Sequence, residues 1–384
     1  MIGVEDMANI PWEVKYSSDG IKFLVFHNSV MYDVSQIVHN ISFTSILNES
    51  SKVQFSLLKD PQDKLKIEVG DTILFSYQDW NVFKGRILTM DWNEKGTCEL
   101  CAYDQLFYLK KNHIYHTFKM PKFSEVMDYV KNQLGMTDND IDSNSMNEFL
   151  YTDLTSKSFS DESYLDIILY YLNRYNEQYE RVKSQYSGTD LIRKSKMIST
   201  KWICLYDNFG KLSLMNIGDN PEKLLIIGKD SILTDYDYSI DISQDTYNKV
   251  MLYYTNANNK NVSNKDELGE ILSQSREDGE NIKKWGFLSL FQNVNDKSDS
   301  AKLDDYAKRL FELKNVPKKK MTMTCLGYNK VIAGTGFILH LPDIMNDLIV
   351  YPTNVIHKWN GDLHTMEMQI QTTDNFPDTY GGNV

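Results

Sequence analysis

The chain has 384 residues, of which 41% are apolar and 24% charged; these values fit a soluble globular protein of two or three domains. A chain this long buries roughly three quarters of its unfolded surface, so it needs no disulfide or metal staple. Its net charge of −12 argues against gripping duplex nucleic acid through phosphates, and Lys318-Lys319-Lys320 is too short to supply a basic face.

In chain order, Met1 to Gly20 is weakly patterned and reads as an arm, with Pro11-Trp12 as an anchor. It starts without basic residues, so no secretory leader is expected. No apolar run approaches the roughly 20 residues that span a bilayer, so no membrane anchor is expected either. Strand-like runs follow at Ile21–His27, Met31–Leu47, Val53–Leu58, Thr72–Tyr77, Phe83–Trp92 and Thr97–Tyr103. Asp60-Pro61 breaks the series, because proline removes a ladder donor. Six short strands with regular turns predict a barrel or sandwich.

The period then changes. Ser124 is placed to cap a helix with Val126, Tyr129, Val130 and Leu134 on one stripe and Gly135 as its stop. Met136 to Ser158 is polar and turn-rich. Ser160 is placed to cap a longer helix whose stripe is Tyr164, Ile167, Ile168, Tyr171, Leu172, Tyr175 and Tyr179, and Glu180 to Ser199 reads as loop. Trp202–Ile217 returns to β through the turn Asp207-Asn208-Phe209-Gly210. Leu224–Ile227, Ser231–Ile242 and Tyr247–Tyr254 continue it. Asn256 to Asn264 is a polar loop, Asp266 to Asn281 is a hairpin or a short helix, and Trp285–Val294 is strand-like. Ser300 starts a helix with Leu303, Tyr306, Ala307, Leu310 and Phe311 inward, ended before Pro317.

The last patterned segment, Lys318 to Gln371, holds four apolar-rich runs. Val331–Leu341 is loosened at Gly334 and Gly336, and Leu348–Trp359 joins Asp362–Gln371 at Asn360-Gly361. Asn-Gly between alternating runs predicts a type I′ hairpin turn, because both central residues need positive φ. His364, Met366, Met368 and Ile370 share one face of the final strand.

Residues that could carry chemistry are few. Cys98 and Cys101 form a C-x-x-C on a strand, where positions three apart face opposite ways; they read as structural thiols, and the four cysteines fit a reducing compartment. His113 and His116 lie in a strand-to-loop stretch. His340, His357 and His364 sit on separate strands. Gly334-Thr335-Gly336 lacks the Lys-Ser/Thr of a phosphate loop and reads as a strand kink. Asp235 and Asp237 share a strand face beside Tyr236 and Tyr238, and a solvated face explains them better than a glycosidase pair. The expectation is therefore no catalytic, cofactor-binding or metal site, and no enzyme.

The segment from Lys318, with its Ala333-Gly334-Thr335-Gly336 kink and its Asn360-to-Met368 hairpin strand (NGDLHTMEM), resembles the end of the baseplate hub proteins of contractile phage tails and tail-derived bacteriocins, the XkdQ-type hub family. Trp202–Ile217, Asp245–Tyr254, Asn81–Ile87 and Cys101–Asp104 extend that resemblance over most of the chain. It implies a mainly β fold of two tail-tube-like antiparallel barrels plus a helix-containing insert. The implied domains are an arm at 1–20 and a first barrel at 21–120 completed by strands from 200–245. The insert takes 121–199, the second barrel 246–373, and a tail 374–384. Implied too is a homotrimer of pseudo-hexameric symmetry, joining the tail tube to the central spike and touching other baseplate proteins and the tape measure protein. The particle would assemble in the bacterial host cytoplasm, without sequence-specific nucleic-acid binding. The alternatives from other classes are a tail-associated peptidoglycan hydrolase and a carbohydrate- or receptor-binding tail module.

Overall fold

Alternating apolar and polar side chains put about half of the described residues into strands. A computed structural model describes residues 20–58, 65–94, 96–142, 145, 156–185, 203–218, 225–228, 231–254, 272–293, 300–342 and 344–372. The expected arm and Pro11-Trp12, the Asp60-Pro61 break, the Asn256–Asn264 loop, the 374–384 tail and parts of the two polar stretches flanking the long helix lie outside the described residues. So do the side chains of Tyr175 and Tyr179.

The elements run β1 (Ile21–His27), β2 (Val30–Asp33), β3 (Val38–Ile46), β4 (Lys52–Leu58), β5 (Thr72–Tyr77), β6 (Trp80–Trp92) and β7 (Thr97–Tyr103). Next come α1 (Leu106–Lys111), β8 (His113–Phe118), α2 (Phe123–Leu134), β9 (Lys157–Ser163), α3 (Tyr164–Gln185), β10 (Ile203–Asp207) and β11 (Leu212–Asn216). The remainder is β12 (Ile226–Gly228), β13 (Leu233–Asp241), β14 (Lys249–Tyr254), β15 (Leu272–Glu277), α4 (Gly279–Trp285), β16 (Ser289–Asn293), α5 (Ser300–Lys314), β17 (Lys318–Leu326), β18 (Phe337–Leu341), β19 (Met345–Asn360) and β20 (Leu363–Thr372). The fold is mostly antiparallel β.

Two compact units result. The first takes in the described residues of Met1–Tyr236 and Thr322–Tyr380, the second those of Asp237–Met321. The main sheet has the order β13-β17-β20-β19-β3-β4-β7-β6-β5-β1-β2, with β18 joining β19 and β12 joining β18. In its first half the sheet curls on itself. Phe23 of β1 meets Phe55 of β4 with ring centroids 4.6 Å apart, although three strands separate them in the order. Phe23, Phe43, Phe55, Phe75, Ile87 and Trp359 close that core.

The closing hairpin does not stand apart from the opening strands. β19 runs antiparallel to β3, from Asn354 opposite Ile46 to Trp359 opposite Ile41. This places Trp359, from the end of the chain, among side chains from its beginning: Phe75 at 4.9 Å, Tyr77 at 5.6 Å and Trp80 at 6.3 Å.

The helical part of the first unit has its own core, running from Leu106 and Leu109 through Val126, Ile167, Ile168 and Tyr171 to Leu205 and Leu214. Asn176 of α3 is buried, and its amide bonds both the N–H and the C=O of Ile203, at 3.1 and 3.2 Å, satisfying the start of β10. Asn48, in the left-handed region at φ 58, accepts from Leu205 N at 2.8 Å and ties β10 to the end of β3. The second unit is a three-stranded sheet, β15-β14-β16, with α5 on one face; Val250 and Leu252 pack against Leu303, Ala307 and Leu310 as the stripe required.

Several local expectations are corrected. Ser160 does not cap the long helix. It lies in β9, and Ser163 caps instead, its Oγ accepting from Asp166 N at 3.1 Å. α2 begins at Phe123 rather than after Ser124, because Glu125 reaches back to Lys122 N at 2.9 Å. Val331–Leu341 is not one kinked strand: only Phe337–Leu341 is extended, and Gly334 turns at φ 93. Met31–Leu47 splits because Ser35 folds back, donating to Asp33 Oδ1 at 2.6 Å and accepting from Phe23 N at 2.8 Å. Trp285 ends a helix rather than starting a strand.

The last hairpin pairs Asn360 with Leu363, so Gly361 and Asp362 are its central residues. Gly361 has φ 58, and Asp362 is not among the residues with positive φ. That fits a type II′ turn with glycine first, in place of the expected type I′ Asn-Gly turn. A Cβ at Gly361 would meet nothing within 4 Å, so a substitution there is penalised by the backbone alone. Gly361→Val is expected to lower unfolding stability by about 1–3 kcal/mol, read from urea midpoints. An unchanged midpoint would reject the positive-φ turn.

Candidate functional site

Most residues singled out for chemistry are kept apart. Cys98 is buried and Cys101 half-buried on opposite faces of β7. Burial pushes the Cys98 thiol up to about 11 and raises Cys101 as well, so neither is poised as a thiolate. His113 is exposed and lies 3.4 Å from an Asp161 carboxylate oxygen, whereas His116 stacks on Tyr129 with centroids 4.2 Å apart. Gly336 is a close crossing: a Cβ there would sit 1.9 Å from the carbonyl oxygen of Gly218. The Gly334 carbonyl accepts from Gly218 N, and Gly334 N donates to Pro352 O. This loop therefore locks backbone to backbone. Tyr164 and Tyr171 are core residues. Among the described residues, no group of three or more His, Cys, Asp or Glu is placed to hold a metal ion.

Two clusters do form. The first joins two of the three late histidines. His357 of β19 and His364 of β20 flank the hairpin turn with Nδ1 and Nε2 2.9 Å apart, while His340 stays on β18. His357 Nε2 lies 2.7 Å from Val331 O, which can only accept, so that nitrogen carries the proton. Its Nδ1 is then the acceptor for His364 Nε2–H. The arrangement needs His357 neutral, with its Nδ1 unprotonated. Burial, then the neighbouring His364, pushes His357 down to about 3, and burial pushes His364 down to about 4. Trp359 stacks on His364 at 4.5 Å and Trp80 meets His357 edge-on at 5.1 Å. Beside them a cleft of about 560 Å³ is lined by Tyr77, Asp79, Lys330, Asp362 and His364. Two of its charges are spent on each other, Lys330 bonding Asp79 at 3.0 Å.

The second cluster has no signature in the sequence. Asp104, at the exit from β7, accepts from Ser50 Oγ and Ser51 N at 2.7 Å and from Leu106 N at 3.0 Å. Asp207, at the end of β10, accepts from Gly210 N at 2.6 Å, and its Oδ2 is solvent-inaccessible without a hydrogen-bond partner. Burial pushes both carboxyls up, and the charge of Asp104 raises Asp207 further. Asp104 sits where the chain leaves the main sheet for the helical part, and Asp207 at the turn of the separate two-stranded sheet β10–β11. Among the described residues, no serine, threonine or cysteine lines the cleft beside the histidines, and the Asp104 and Asp207 carboxyls are buried.

Comparison with known proteins gives the context. Residues 42–371 match the family model described as YQBQ-like. The chain is 24% identical over 314 residues to uncharacterized protein YqbQ of Bacillus subtilis (strain 168), covering 81% of this chain and 84% of that protein. Its fold is similar to the 43 kDa tail protein of prophage MuSo2 from Shewanella oneidensis, with a TM-score of 0.61 at 10% identity over 93% of this chain and 100% of that one. It is also similar to the tail protein from Neisseria meningitidis MC58, with a TM-score of 0.57 at 12% identity and the same coverage.

Opposite pH dependences follow from the two clusters. The histidines have depressed folded pKa values, so their stabilisation is complete above the unfolded value near 6.5 and is lost as pH falls toward 4 and 3. His357→Gln is expected to flatten the acid decline, by up to about 1.4 kcal/mol per pH unit below about pH 6, in urea titrations compared with the wild type. An unchanged slope would contradict the neutral pair. The aspartates have raised values, so their penalty is absent below the ordinary aspartate range and grows as pH rises. Asp207→Asn should stabilise the chain more at about pH 9 than at about pH 5; equal gains at both, or a loss, would contradict the buried acid pair.

Proposed function

The chain belongs to the YQBQ-like family, and on that premise we propose that it is a structural protein of a phage-type tail, the hub of the baseplate. The observation that carries this reading is the fold likeness to two tail proteins over their whole length. Neither side-chain cluster supplies reactive chemistry, which supports an assembling role rather than a hydrolytic one.

In this reading three copies form a ring. The two halves of the main sheet, β1–β7 and the group β12, β13, β17–β20, act as the two barrel-like modules of each copy, so that three chains present six related modules. Such a ring matches a sixfold tube on one side and a threefold spike on the other. The partners are the tail tube protein, the spike, other baseplate proteins and the tape measure protein, and the location is the baseplate of a virion or tail-like particle assembled in the host cytoplasm. The net charge of −12 suits a ring whose bore must not retain passing polyanions.

Native mass spectrometry of the purified chain, alone and with tube or spike protein, is expected to give three copies per complex. Particles from a deletion strain should lack assembled tubes and baseplates. A single copy per assembled particle, or normal baseplates without this chain, would contradict the proposal.

A further inference from the structure

β13 is an unusual strand. It ends the order of the main sheet, so among the described residues its outer edge is unpaired. It is also uncovered on both faces, with almost every residue from Thr234 to Ile240 exposed. Alternation puts Tyr236, Tyr238 and Ile240 on one face and Asp235, Asp237 and Asp241 on the other. Tyr236 is 41% exposed and Ile240 60%. A long edge bearing uncovered aromatic and aliphatic side chains is a template for pairing with another chain. Pairing two β13 edges with each other is disfavoured in the registers that set Asp235 and Asp237 against like charges.

One other edge offers the complement. β16 ends the order of the three-stranded sheet in the second unit. Leu290 packs toward α5 and Gln292 bonds Tyr306 of α5, so Phe291 points from the opposite face, where it is 58% exposed beside Met251 of β14. Phe287, just before β16, is 61% exposed with the Lys249 ammonium 5.7 Å from its ring. Lys283 and Lys284 close α4 immediately upstream, both exposed and without an ion pair among the described residues. Two other edges lack this chemistry: β15 has its Arg276 neutralised by Asp304, and β2 carries an acid and no base.

We propose that the acidic, tyrosine-bearing edge strand β13 of one copy docks head to tail on the basic, phenylalanine-bearing β16 edge of a second copy. Strand pairing would satisfy both open edges, Tyr236 and Ile240 would cover Phe287 and Phe291, and Asp235 and Asp237 would meet Lys283 and Lys284. A heterologous contact of this kind closes into a ring when its rotation allows. The inference rests on the trimer reading above and names the surface through which the copies meet.

The test is charge reversal in the full chain, read by sedimentation velocity over a concentration series. Asp235→Lys with Asp237→Lys, and separately Lys283→Asp with Lys284→Asp, should each weaken self-association at least about tenfold, whereas all four together should restore it to within about threefold. All four positions are exposed, so circular dichroism and urea midpoints should stay at wild-type values. A wild-type trimer indifferent to both reversals overturns this surface and leaves the trimer standing. Loss without rescue in the fourfold variant overturns the second copy as the occupant. A wild-type chain that stays monomeric at every concentration overturns the trimer reading and this contact with it.

Discussion

The pairing of β3 with β19 is the constraint on which the first unit depends. It joins strands from opposite ends of the described chain, from Ile41 against Trp359 to Ile46 against Asn354. Between them the chain adds β4–β7 to the sheet, leaves it for the helical part and the second unit, and has to come back in register. A slip of one residue would turn Trp359 and His357 out of the core and bring Lys358 in, because side chains alternate along a strand. The register is held by what those two residues meet. Trp359 lies against Phe75, Tyr77 and Trp80, and His357 stacks over Phe43 at 6.1 Å. Ring pairs of this sort add about 0.5–1.5 kcal/mol each beyond the area they bury, and Lys358 is satisfied outside by Glu367 at 2.6 Å.

The buried polar groups have the same office. Asn48 and the Asp104–Ser51 contact sit at the joints between the sheet and the helical part, and Asn176 ties α3 to β10 within that part. They accept from backbone groups that would otherwise lie buried and unpaired, which is costly. Gly336 and Gly218 allow two loops to cross at a distance no side chain would permit. These devices fix positions rather than create reactivity. Under the proposed assembling role such joints are what the chain needs, with its unspent chemistry at open edges such as β13 and β16.

Local structure was readable where the deciding partners are close in sequence. The stripe on α5, the Gly135 stop of α2 and the hairpin around Gly361 all follow from spacing and backbone freedom. Errors arose where two nearby signals compete. Ser160 and Ser163 are both good caps, and pairing of β9 with β8 takes the first into a strand. At the last hairpin, Asn-Gly and Gly-Asp are both good turns, and the ladder past Asn360 chooses the second. The short helix α1 went unseen because six residues give too little periodicity, and its start is set by Asp104, whose partners Ser50 and Ser51 are distant in sequence. The meeting of His357 with His364 follows directly from their hairpin register, whereas Asp104 with Asp207, and β3 with β19, depend on long-range closure that no local pattern encodes.

Amide hydrogen exchange on the intact chain tests the central claim most directly. If the β3–β19 ladder makes one cooperative body of the two chain ends, amides in 41–46 and 354–359 should exchange with the same opening free energy and respond together to denaturant. A closing hairpin that opens well before β3, with β3 protection unaffected, would contradict it.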